Sequence, residues 1–126
     1  MKKYAIAAAL AMFVSAQARV QEINNPGEFN DTIAKGASVV KFYTPECPNC
    51  MGARVPFERA SNKFPNVHFI AVNTHDYNKL ADKYGVKGLP TFAYFKDGKE
   101  IRAKKHVGNA AGLEKTIQLN VESLQK

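Results

Sequence analysis

Apolar residues along this chain fall into short blocks divided by turn residues, and their period changes from block to block. Ser38–Tyr43 is apolar at most positions, which predicts a central strand covered on both faces. Val67–Asn73 and Thr91–Lys96 read the same way, and Val20–Ile23 predicts a short first strand. Between them the period lengthens to that of a helix. Phe29 and Ile33 share one face of a segment opened by Asn25-Pro26, with Gly36 suited to its C-terminal end. Ala53, Phe57, Ala60 and Phe64 form a stripe on a second helix, which Pro56 is expected to kink. Asn78–Tyr84, stopped by Gly85, predicts a short third helix. Leu113, Ile117, Val121 and Leu124 predict a last one, capped by Asn109. Lys96-Asp97-Gly98-Lys99 is a tight-turn signal, and a strand over Glu100–His106 should follow it.

The predicted order is β-α-β-α-β-α-β-β-α. Early βαβ units imply parallel strands, and the final hairpin adds antiparallel ones. The fold class is therefore α/β, a mixed central sheet with helices on both faces. At 126 residues the chain holds one domain with a real core.

The amino terminus stands apart. Met1–Ala18 has a basic start at Lys2-Lys3, an apolar stretch from Tyr4 to Val14, and small residues at Ala16 and Ala18. This is the three-part pattern of a secretory signal cleaved after Ala18, leaving a domain over residues 19–126. The A-x-A site points to secretion into a bacterial periplasm. Charge adds little. The formal net charge is +7; without Lys2 and Lys3 it is 16 basic minus 11 acidic residues, or +5. The basic residues are scattered, which favours a solvated surface over a nucleic-acid interface.

The chemistry concentrates in one stretch. The strand ends in Thr44-Pro45, and Cys47 and Cys50 follow in a C-x-x-C spacing. Cysteines at i and i+3 of a first helical turn have Cα atoms roughly 5 Å apart, within reach of a disulfide. A helix N-terminus offers unpaired N–H groups and a positive dipole end, which favour thiolate at Cys47. A zinc site would need four ligands, and His68, His75 and His106 do not supply an evident set, so no metal is expected. An inert structural bridge is the remaining alternative for the pair.

Three blocks carry a resemblance to the thioredoxin family: V-V-K-F-Y-T-P-E-C-P-N-C at Val39–Cys50, Y-G-V-K-G-L-P-T-F at Tyr84–Phe92, and F-K-D-G-K-E at Phe95–Glu100 with Val107-Gly108 after it. The resemblance covers nearly all of Val20–Leu124 and implies the thioredoxin fold. It implies a thiol–disulfide oxidoreductase with no bound cofactor, Cys47 as nucleophile and Cys50 as resolving thiol. It implies that Pro90 is a cis-proline facing the pair, and that Leu89 pairs through its backbone with an extended substrate. Pro48 would meet substrate too. The implied partners are proteins bearing disulfides or dithiols, and a redox partner that in a periplasm could sit in the membrane. A monomer is the expected state.

This sequence departs from the family pattern at three places. Glu46 stands where the family has tryptophan, beside the nucleophile, where a carboxylate opposes a thiolate. Lys41 falls where the family often has a buried acid, and the lysine that partners that acid falls near Ala71. Lys41 either favours thiolate at Cys50 or reaches to the surface and does neither. Pro48 directly after the nucleophile resembles glutaredoxins and periplasmic thiol oxidants. These departures leave a second reading open: a binding module of thioredoxin fold whose cysteines are vestigial or structural.

Overall fold

The computed structural model describes residues 19–126; the predicted signal segment, Met1–Ala18, lies outside the described residues. β1 (Val20–Glu22), α1 (Pro26–Ile33), β2 (Ala37–Tyr43), α2 (Pro48–Lys63), β3 (His68–Asn73), α3 (Asn78–Lys83), β4 (Thr91–Lys96), β5 (Lys99–Glu100), β6 (His106–Val107) and α4 (Leu113–Leu124) follow in order. The sheet runs β1-β3-β2-β4-β5, with β6 also on β4. β1, β3 and β2 are parallel, and β4 is antiparallel to β2. This is the predicted mixed sheet.

Alternation along β2 divides the core in two. Ala37 and Val39 point to the side packed by Ala53, Phe57 and Ala60 of α2 and by Leu113, Ile117, Val121 and Leu124 of α4. Val40 and Phe42 point to the other side, against Phe29 and Ile33 of α1 and Leu80 and Ala81 of α3. Six fully buried phenylalanines and Tyr94 anchor these two layers. Each such ring contributes roughly 1.5–3 kcal/mol relative to exposure.

The helix starts are local chemistry. The Asn25 side chain accepts from the Glu28 N–H at 2.8 Å, and Pro26 fills the first position of α1. α2 begins at Pro48 with Cys47 as its N-cap, and it continues through Pro56.

Two expectations need correction. The strand predicted over Glu100–His106 is broken into β5 and β6 by a 3-10 turn at Arg102–Lys104. Phe95 pairs with Glu100, yet Thr91 pairs with Val107, so the register differs by three residues, the length of that turn. Interactions beyond the strand hold it. Lys105 Nζ lies 2.9 Å from the Glu100 carboxylate and donates to the Tyr84 carbonyl, and Asn120 donates to the Lys104 carbonyl. Asn109 does not cap α4 either. Gly112, at φ 77, is the N-cap residue, and no side chain caps it. Starting there buries Leu113 and sets Glu114 in the first turn, 2.8 Å from Lys63. The Asn109 amide packs instead where a β-carbon on Gly52 would stand.

Candidate active site

The turn after β2 delivers Cys47 to the start of α2, and the helix delivers Cys50 one turn on. Cys47 is half-buried; Cys50 is buried. The Cys50 N–H donates to Cys47 Sγ at 3.2 Å, so the sulfur takes the place of a capping oxygen. Cys47 Sγ also lies 3.8 Å from the Leu89 carbonyl oxygen. The Leu89–Pro90 peptide is cis, as the resemblance implied. The predicted residues Cys47, Pro48, Cys50, Leu89 and Pro90 are thus at one place. The turn behind them is fixed by the Thr91 hydroxyl, which donates to the Gly88 carbonyl at 2.6 Å.

Cys50 is pushed up from an ordinary 9.0 to about 11. Burial is the main cause, followed by its contact with Cys47, while the nearby Lys41 charge pulls weakly the other way.

Lys41 is buried along its length, with only 6% of it exposed. It pairs with Ala71 on one side and Phe92 on the other, in the middle of the sheet. Its ammonium lies 5.1 Å from the ring centres of both Tyr43 and Phe57. Burial lowers its pKa, with Glu22 and Glu58 opposing that from a distance. Beside it is a cavity of about 300 Å³ lined by Lys41, Tyr43, Thr44, Pro45, Cys50, Met51 and Arg54.

Glu46 turns outward, with its carboxylate 3.6 Å from His75 Nδ1; both are exposed. His106 is engaged by Tyr94 Oη at 2.8 Å and stacked on Phe92, and His68 is exposed on its strand. Among the described residues no cluster of three potential metal ligands occurs.

Sequence reasoning missed the cavity. Tyr43 was expected only as core, yet it forms a wall of the cavity, with its hydroxyl donating to Glu22 at 2.6 Å. Met51 and Arg54 were not singled out. Their signal was spacing: they lie four and seven residues after Cys47, on one helical face.

With this geometry in view, comparison with known proteins is direct. The thioredoxin family pattern, described simply as Thioredoxin, matches residues 20–119, and the chain belongs to that family. It is 30% identical over 104 residues to Thioredoxin-1 of Schizosaccharomyces pombe, covering 81% of this chain and 99% of that one. It is 28% identical over 100 residues to Thioredoxin Asp f 28 of Aspergillus fumigatus, covering 79% and 93%. It spans only 52% of the length of another relative, Thioredoxin-2 of Pyricularia oryzae. Among solved structures, an N21Q mutant thioredoxin from Halobacterium salinarum superposes with a TM-score of 0.77. That match covers 86% of this chain and 92% of the other at 21% identity, which bears on the fold. The C-x-x-C pair in a chain of this family is that of a thiol–disulfide oxidoreductase, and the reading as a non-catalytic binding module gives way to it.

The expected bacterial periplasm is overturned. The relatives include fungal thioredoxins, and the one from S. pombe that is 33% identical over 84 residues is named as mitochondrial. An A-x-A pattern is short and built from common residues, so it carries little weight against them.

Proposed function

We propose that this protein reduces disulfides in partner proteins, with Cys47 as the attacking group and Cys50 as the resolving one. Cys47 thiolate attacks one sulfur of the substrate disulfide; the Cys47–substrate bond forms and the other substrate sulfur leaves and takes a proton. Cys50 then loses its proton and attacks Cys47 Sγ. The substrate's second thiolate departs, and the Cys47–Cys50 disulfide holds the two electrons' worth of oxidation. An extended substrate segment lies along Leu89 and Pro90, with its backbone paired to Leu89, and Pro48 forms the opposite rim. The protein works as a monomer.

The observation that supports the reductive direction is the likeness to thioredoxins, Thioredoxin-1 of Schizosaccharomyces pombe among them, matched over 99% of its length.

Equilibration of residues 19–126 with glutathione tests the direction. The expected potential lies nearer the roughly −270 mV of thioredoxin than the roughly −180 mV of protein disulfide isomerase. A value at the isomerase end would overturn the reductive assignment. The roles of the two cysteines are tested separately. Cys50→Ser should accumulate a mixed disulfide with a protein substrate, and Cys47→Ser should form none; trapping through Cys50 in the second variant would reverse the two roles.

A further inference from the structure

Lys41 poses a problem that disulfide exchange does not solve. An ammonium taken out of water costs several kcal/mol unless an anion or good acceptors replace the water. Lys41 is more than nine-tenths buried as a residue, with its Nζ reaching water only at its tip, and among the described residues it makes no hydrogen bond and no ion pair within 4 Å. The two carboxylates that face it are engaged elsewhere. Glu22 accepts from Tyr43 Oη at 2.6 Å, and Glu58 lies 3.6 Å from Arg54. What Lys41 has instead is two aromatic faces, which hold a cation without neutralising it.

The ammonium does have one open direction, the cavity of about 300 Å³ between β2 and the start of α2. Its polar contributors include two more donors, the buried Thr44 hydroxyl and the Arg54 guanidinium, and no carboxylate lines it. Arg54 is largely exposed and held only by its loose pairing with Glu58, so it is free to turn towards the cavity. Pro45 and Met51 add apolar walls, and Cys50 contributes the redox face. A small anionic group fits a space with a cation at its inner end, a hydroxyl in its wall and a guanidinium beside it. At the inner end of the cavity, beside the buried stem of Lys41, the attraction is less screened than on the open surface.

We propose that this cavity is an anion subsite that seats a carboxylate carried by the disulfide-bearing partner, on the Lys41 side of the cysteine pair. The proposal rests on the exchange reaction described above and adds a selection rule to it. Partners with an acidic group near the reacting sulfur, in a peptide or in a small thiol compound, are preferred over neutral or basic ones. The carboxylate provides the counter-charge that the chain itself withholds from Lys41.

Two measurements test it. Acetate is titrated into the oxidised protein while backbone amide resonances are followed. The expected result is saturable shifts centred on Thr44, Cys50, Met51 and Arg54, abolished in Lys41→Met and weakened several-fold in Arg54→Ala. The amide spectrum shows at once whether each variant is folded, and Arg54→Ala, an exposed change, stands in should Lys41→Met fail to fold. Non-saturating shifts, or shifts that persist unchanged in the variants, would overturn the site. The second measurement compares the rate at which the reduced protein reacts with oxidised glutathione, hydroxyethyl disulfide and cystamine, which are anionic, neutral and cationic. Wild type should favour the first over the second several-fold, and Lys41→Met should lose that ratio. Saturable acetate binding with no such ratio would overturn the carboxylate's origin on the partner and leave the cavity to free anions. Wild type that reacts with hydroxyethyl disulfide but binds no anion sinks this inference alone. Wild type that reacts with none of the three disulfides sinks the exchange reading beneath it.

Discussion

Cys50 shows what a single position adds to a motif. The C-x-x-C spacing was plain in the sequence, and so was the pairing of an outer with an inner sulfur. The depth of the inner one was not, because it depends on how α2 sits on the sheet. That depth has a pH signature. With its proton lost only near 11, Cys50 is almost wholly a thiol at neutral pH. The resolving step in a preformed Cys47 mixed disulfide, where burial of Cys50 remains, should therefore accelerate about tenfold per pH unit through the alkaline range and level off above 9. Rapid-mixing kinetics across that range would show it, and a plateau by pH 9 would contradict it. Stability follows the same shift. In the unfolded chain the thiol ionises at its ordinary value; in the folded chain it ionises about two units higher, so the folded state binds the proton more tightly. The contribution is present below 9 and is lost as pH rises towards 11. Reduced wild type should lose stability relative to Cys50→Ala in that window, measured by urea unfolding at matched pH.

The elements were legible to the degree that their signals were local. α1 is a case of full agreement. Asn25, Pro26, and the spacing of Phe29 and Ile33 all act within a few residues, and the folded helix uses each of them. Removing the cap tests this link: Asn25→Ala should cost about 1 kcal/mol in chemical denaturation, with the slope of the transition unchanged. The hairpin agreed at its turn and failed beyond it. Asp97 and Gly98 both adopt positive φ, and the Asp97 carboxylate accepts from the Gly36 N–H at 2.7 Å, so a local signal was reinforced by the fold. The return strand had alternation enough to look continuous. Its break at Arg102–Lys104 is held by Lys105 with Glu100 and Tyr84, and by Asn120 with the Lys104 carbonyl. The contacts with Tyr84 and Asn120 join residues far apart along the chain, beyond the reach of any local signal. The start of α4 slipped for a similar reason. Asn109 has the chemistry of a cap, but Gly112 offers the turn that buries Leu113, and burial of a leucine is worth more than one capping bond.

At the scale of the whole molecule, Lys41 links stability to selectivity. Its position on β2 was readable; whether it reached the solvent was not, since that is decided by Phe57 on α2 and by the rings around it. Two aromatic contacts contribute about 1–2 kcal/mol each at a partly solvated ammonium. Burying the ammonium costs several. The balance runs against the lysine, so Lys41→Met, similar in length and without the charge, should stabilise the fold by roughly 1–2 kcal/mol near neutral pH. The sign of its pH dependence is opposite to that of Cys50. Burial lowers the folded pKa of Lys41 below 10.5, so the unfolded chain binds the proton more tightly. The wild type's handicap is full below the folded pKa and shrinks as pH rises towards 10.5. The stability gap between Lys41→Met and wild type should therefore close with rising pH, and added acetate should narrow it at neutral pH by stabilising wild type alone. A variant no more stable than wild type would mean that the ammonium already has a partner in the folded chain. The closing of that gap by a simple anion would measure the counter-charge that the chain itself withholds from Lys41.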